Sequence, residues 1–202
     1  MGRRAVCAAL LVGLVTGCSA EAEDGDAKSA AKDDAKVAES SRSIGAKGSA
    51  CELPVTFDVA KGWKAEAVDT SDPDFVLRQG PVTLVCEIDA KPAGNIGFLR
   101  AWTGKPGDAG ARGVLESFVA GQDGVSEEKY GSFTADGLTG AEVTYTYTSE
   151  LLDEDKQERA LAVTTDEGPF VLHLGGLDSE EHEAMLPALE LAKKTLRAGK
   201  AE

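Results

Sequence analysis

The chain predicts an α+β fold in which a mainly antiparallel sheet is flanked by helices, and three observations carry that prediction. Short segments of alternating apolar and polar residues recur from Cys51 to about Arg197. The breaks between them are mostly of hairpin length, which suits antiparallel neighbours. Two stretches switch to helical spacing, one between two groups of strands and one after the last group.

The elements come in this order. "VTFDV" (55–59), a turn at Lys61-Gly62 and "WKAEAV" (63–68) read as a first hairpin. "FVLRQ" (75–79), "VTLVCEID" (82–89) and "IGFLRAW" (96–102) read as further strands, separated by Gly80-Pro81 and by Lys91-Pro92-Ala93-Gly94. Ala111, Val114, Leu115, Phe118 and Val119 then recur at helical spacing, with Asp108 as the expected N-cap. Ala141, Val143, Tyr145 and Tyr147 alternate with Glu142, Thr144, Thr146 and Thr148, giving one packed and one polar face. "RALAVTT" (159–165) and "PFVLHLG" (169–175) read as its partners, with "DEDK" (153–156) at a hairpin tip. A last helix is expected from Asp178 or Ser179, with Glu180 and Glu181 at its positive end. Its apolar stripe is Met185, Leu189, Ala192 and Leu196, and Pro187 is expected to kink or split it.

Residues 19–50 have a different composition, with no aromatic and hardly any large aliphatic side chain. Such a segment buries too little apolar surface to offset the entropy of ordering, so it is expected to be a disordered tether spanning roughly 30 Å. Ahead of it, Arg3 and Arg4 precede the apolar run "AVCAALLVGLVT" (5–16), which has secretory length and is too short to stay as a spanning helix. The residues that end the run, Val15-Thr16-Gly17-Cys18, resemble the lipobox of bacterial lipoproteins. That resemblance implies cleavage before Cys18, a diacylglyceryl thioether on its sulfur, and residence on the extracytoplasmic face of the cell membrane. Two acyl chains anchor stably where one binds marginally, each buried methylene contributing roughly 0.8 kcal/mol. N-myristoylation at Gly2 is disfavoured, because Val6 stands where that signal wants Ser or Thr.

The organisation expected is therefore a signal peptide (1–17), a lipidated Cys18 with its linker (18–50), a globular domain (51–197) and a tail (198–202). The whole chain holds 35 acidic and 21 basic residues. Loss of Arg3 and Arg4 leaves 19 basic residues against 35 acidic ones, a formal charge of −16. That balance argues against nucleic acid and against electrostatic attraction to anionic lipid, so the lipid on Cys18 must do the anchoring. Cys7 leaves with the signal. Cys51 and Cys86 remain as an even pair in an oxidising compartment, either as one disulfide or as two separate buried thiols.

The opening "FDVAKGW" (57–63), together with a terminal amphipathic helix after "GPFVLHLGG" (168–176), resembles the PsbP-like domains, which include the extrinsic protein of photosystem II and the LpqN-type lipoproteins of mycobacteria. Ala60 stands where members often carry proline, while Gly62 and Trp63 match. The resemblance covers about residues 51–197 and implies an α-β-α sandwich. It implies binding or assembly roles, with no catalytic residues to carry over.

Motifs for chemistry are sparse. His173 is expected on a strand, opposite Leu172 and Leu174, and His182 on an exposed helix face; neither is expected to be a ligand or base. No GxSxG elbow is present. "TGKPGDAGA" (103–111) lacks both phosphate-loop signatures, and Asp108 would repel an anion. Asp69, Asp72 and Asp74, and Asp153, Glu154, Asp155 and Glu158, lack EF-hand spacing and read as solvated turns. No catalytic residue, metal site or cofactor is expected. The function expected is that of a noncatalytic, membrane-anchored envelope lipoprotein that binds an envelope protein partner or helps an assembly. The alternative is a small-molecule or lipid binder, which needs an apolar concavity near Trp63 or Trp102. An envelope hydrolase is a remote third reading with no supporting constellation.

Overall fold

A computed structural model describes residues 36–149 and 154–199. The signal peptide, Cys18, the linker up to residue 35, residues 150–153 and the last three residues lie outside them. Eleven strands and two α-helices are described. In chain order they are β1 (Ser40–Ile44), β2 (Val55–Ala60), β3 (Lys64–Ala67), β4 (Arg78–Gln79), β5 (Val82–Asp89), β6 (Gly97–Gly104), α1 (Ala111–Ala120), β7 (Val125–Ala135), β8 (Leu138–Ser149), β9 (Glu154–Thr165), β10 (Gly168–Gly176), α2 (Ser179–Thr195) and β11 (Arg197–Ala198).

Eight strands form one antiparallel sheet in the order β3-β5-β6-β10-β9-β8-β7, with β4 added on β5. Alternation along β9 and β10 sorts the core into two. Leu161, Val163, Phe170, Leu172 and Leu174 point to a face covered by α2 and the small sheet β1-β2-β11. Ala160, Ala162 and Val171 point to the opposite face, where Val114, Leu115, Phe118 and Val119 of α1 cover them. A sheet buried on both sides needs apolar residues at successive positions, and β10 is buried at nearly every one.

A bulge divides β5 between these two faces. The register to β6 shifts between Leu84 and Cys86, so Val82 and Leu84 pack under α1 while Cys86 and Ile88 pack toward α2. The strict apolar alternation of "VTLVCEID" therefore serves two faces in turn. The same shift turns Cys86 toward Cys51, and the two form a disulfide with Cα atoms 5.9 Å apart.

Several expectations need correction. The tether does not run to residue 50: β1 pairs with β2, and Ile44 is fully buried against the α2-side core. Ser40, Ser41 and Ser43 hide this strand in a polar sequence because their hydroxyls bond Asp58, Val59 and Phe57 of β2. At the other end Arg197 and Ala198 pair with Thr56 and Val55, so the ordered chain passes the expected boundary at 197. The 55–68 hairpin does not form, because β2 belongs to the small sheet while β3 pairs with β5. Only Arg78 and Gln79 of "FVLRQ" are strand, and Phe75 and Leu77 stand exposed. Gly110 caps α1 in place of Asp108, with no side-chain bond. The helix α2 is continuous through Pro187, and Asp178 caps it by accepting the Glu181 N–H at 2.8 Å.

Candidate functional site

Cross-strand register places three rows of side chains on the α1 side of the large sheet, below the end of α1. One row is Glu66, Glu87, Arg100 and His173, successive partners across β3, β5, β6 and β10. The next is Lys64, Asp89, Phe98 and Gly175 on the same strands, with Glu158 of β9 flanking Gly175. Lys156 and Tyr147 lie in register on β9 and β8 in the third. The helix α1 covers the upper part of this face; Arg100 and Glu87, with side chains 36 % and 35 % exposed, face solvent, whereas His173 and Glu158 of the same rows are buried.

Beneath them lies a buried polar cluster. Glu158 Oε2 receives the Tyr145 hydroxyl at 3.0 Å and lies 2.9 Å from His173 Nε2, while Lys156 Nζ lies 3.0 Å from Glu158 Oε1. The Gln122 amide, just past α1, donates to Glu158 at 3.4 Å, and its carbonyl oxygen lies 3.1 Å from the Tyr145 hydroxyl. Burial on its own would raise the Glu158 pKa, but the charges and hydrogen bonds of His173 and Lys156 outweigh it and hold the carboxyl below its usual range. Burial, then the Glu158 charge, drives the Tyr145 phenol well above its ordinary value, so it stays a donor. Phe118 packs on the His173 ring at 5.7 Å between centroids and Tyr145 stacks on it at 6.4 Å, which fixes the imidazole plane. Above the cluster, Arg100 donates from Nε to Glu87 at 2.8 Å and lies over the Phe98 ring at 5.1 Å. The result is a rigid platform with ionised groups held in fixed pairs.

The residues singled out in the sequence are scattered around this platform. Cys18 lies outside the described residues, and Cys51 and Cys86 are buried in their disulfide. Trp63 is in the α2-side core and Trp102 in the α1-side core, edge-on to Phe118, so the two line no common concavity. An open groove of about 1190 Å³ lies by Lys47, Glu52, Thr56, Asp136, Glu167 and Arg197, and neither tryptophan lines it. Asp69 and Asp72 cap local turns through the N–H groups of Ser71 and Asp74. Glu154 and Asp155 sit in β9, where Thr148 donates to Asp155, and Asp153 lies outside the described residues. His182 is a correction: it is buried on the inner side of α2. Burial first, then the nearby Arg159, lowers its pKa to about 4. Glu158 is a second correction, since it is no solvated turn residue but the centre of the buried cluster. Arg100, Phe98, Lys156 and Gly175 carry no motif; only their cross-strand register unites them.

Among the described residues no group of His, Cys, Asp and Glu is arranged to hold a metal ion, and no helix is long and apolar enough to cross a membrane. A family model described as an uncharacterised lipoprotein matches residues 21–196. No curated protein matches the chain. The solution structure of cyanobacterial PsbP (CyanoP) from Synechocystis sp. PCC 6803 is similar in fold, with a TM-score of 0.50 and 11 % identity over 72 % of this chain and 86 % of that one.

Proposed function

The chain belongs to this lipoprotein family and carries a PsbP-like domain, and from that premise we propose that it is a noncatalytic, lipid-anchored protein of the envelope whose domain binds a protein partner. Cys18 is the anchor in this reading, and the residues before β1 are the tether that lets the domain reach its partner. The observation that carries the proposal is the uncovered sheet face, where half-exposed Glu87, Phe98 and Arg100 stand on a hydrogen-bonded platform. Arginine and aromatic side chains held on a rigid frame lose little entropy on binding, which is what an interface anchor requires. The buried His173–Glu158–Tyr145 cluster serves this reading by locking that frame.

The test is crosslinking in intact cells. A partner crosslinked by the full chain, and lost both on deletion of residues 37–199 and in the Arg100→Glu variant, supports the proposal. A crosslink that survives Arg100→Glu and Phe98→Ala together places the partner on another surface and overturns it. Anchoring is read separately: Cys18→Ala abolishes labelling by a fatty-acid analogue, and equal labelling of the variant refutes the anchor.

A further inference from the structure

Gly175 is a glycine that neither backbone nor packing demands. Its neighbours in the fold differ: a Cβ at Gly97 would strike Met185, and one at Gly176 would come within 2.9 Å of the His182 nitrogen. At Gly175 an added Cβ meets nothing closer than His173 Cε1 at 3.4 Å and Glu158 Oε1 at 3.7 Å, and its backbone is not among those with positive φ. Glycine inside a strand weakens it, and its common justification is the close approach of another group.

The missing side chain opens a recess with a defined chemistry. Gly175 is the floor, Phe98 faces it from β6, and Glu158 flanks it from β9. His173 and Arg100, partners in register, form the upper rim. Arg100 uses Nε for Glu87, and its two terminal nitrogens have no hydrogen-bond partner among the described residues. His173 commits Nε2 to Glu158 and Tyr145, which leaves Nδ1 without a partner among the described residues. Beside the recess Arg100 is paired with Glu87 and Lys156 with Glu158, while Asp89, in register with Phe98, accepts from the Lys91 N–H. A guanidinium with both terminal nitrogens available suits a bidentate carboxylate. The span from β6 to β9 across β10 is about 10 Å of backbone, narrowed by Phe98 and Glu158, which suits one small planar group at this point of the face.

We infer that the recess over Gly175 is a binding site for a small organic carboxylate, its acid group held by the terminal nitrogens of Arg100, and its apolar body lying on the glycine floor against Phe98 and the edge of the His173 ring. The inference rests on the reading of this face as the binding face of the domain. It goes further in giving that face a small-molecule site.

The experiment titrates the purified chain, residues 19–202, with sodium benzoate, benzamide and N-acetylglutamate amide, followed by amide and Arg Nε chemical shifts. Benzoate is expected to produce saturable shifts at Gly175, His173 and Arg100 Nε, with at least tenfold weaker binding of benzamide and of N-acetylglutamate amide. Gly175→Val fills the recess with a residue that favours strands; it is expected to keep or raise the thermal midpoint while losing benzoate binding at least tenfold. Arg100→Gln is expected to lose binding to a similar degree. Benzamide binding as well as benzoate, unchanged binding in Gly175→Val, or no saturable shift at Gly175 overturns the site. N-acetylglutamate amide binding as well as benzoate overturns the free acid in favour of a carboxylate borne by a partner. Because the readout uses purified chain and no partner, failure here leaves the crosslinking result to stand or fall by itself.

Discussion

His173 Nε2 lies 2.9 Å from Glu158 Oε2, with both side chains less than 8 % exposed, and every other polar group of the cluster is arranged around that contact. A carboxylate out of water is stable only if its lone pairs are satisfied, and here Tyr145, Gln122 and Lys156 do this alongside His173. Removing different members therefore has unequal costs. Tyr145→Phe deletes one hydroxyl and leaves Glu158 its contacts with Lys156 and His173, so urea unfolding should show a loss of about 1 kcal/mol. Glu158→Gln leaves Lys156 without its counter-charge and His173 without its carboxylate acceptor, and the loss should be about 3 kcal/mol. Equal losses would mean that the pair does not organise the cluster.

His182 gives the fold a distinct acid sensitivity. Its pKa falls from 6.5 to about 4 on folding, because burial and the nearby positive Arg159 both oppose a charged ring. The unfolded chain therefore takes up a proton below about pH 6.5 that the folded chain refuses until about pH 4. Stability from this residue is complete above that window and is lost as pH falls through it, to a total of about 3 kcal/mol. Glu158 adds a loss at lower pH, since its depressed pKa stabilises the fold above the unfolded carboxyl value and ceases to do so as pH falls through the folded one. Thermal midpoints between pH 7 and 5 should thus decline in the native chain and decline less in His182→Gln. Parallel declines would assign the sensitivity to other groups.

How legible these features are depends on what each residue packs against. The strands β5, β6, β8, β9 and β10 and both helices follow from apolar spacing, since their side chains fill a core. The edge strand β7 escapes such a reading because "VSEEKYGSFTA" is mostly exposed on both faces and so has no apolar period. In β5 the alternation is visible but its meaning is not, because the bulge at Val85 passes the pattern from one face to the other. Glu158 looks like one more acid in an acidic run; only register with Tyr145 and His173 makes it a buried partner. The disulfide partners are legible because two cysteines remain. The platform is not, because it exists only across strands that are distant in sequence.

The start of the domain is open to a direct check. A chain beginning at residue 37 retains β1, whereas one beginning at Cys51 loses Ile44 and the bonds that Gly45 makes with Cys51 and Leu53. Uncovering the α2-side core at Phe57 and Val59 should cost about 3 kcal/mol, mostly from the lost burial of one large aliphatic side chain and its neighbours. Limited proteolysis should leave 37–199 intact while cutting the shorter chain. Equal resistance of the two would return β1 to the tether.

The Cys51–Cys86 bridge ties the loop before β2 to the centre of β5, closing a loop with a sequence separation of 35. In the chain-entropy account, a loop of that length restricts the unfolded ensemble by roughly 4 kcal/mol. For a domain of this size that corresponds to a fall of about 10 °C in thermal midpoint when both residues become alanine. Both sulfurs are also out of solvent, Cys86 at 0 % and Cys51 at 2 % exposure. A thiolate reductant must therefore wait for the loop at 45–54 to open. Mild reductant should leave the folded chain oxidised for hours and reduce it quickly in urea, as mass spectrometry after alkylation would show. Rapid reduction of the folded chain would mean that the 45–54 loop opens easily in the native state. A Cys51→Ala/Cys86→Ala midpoint within 2 °C of the native one, on the scale of about 3 °C per kcal/mol, would show that the bridge constrains little that packing does not already hold.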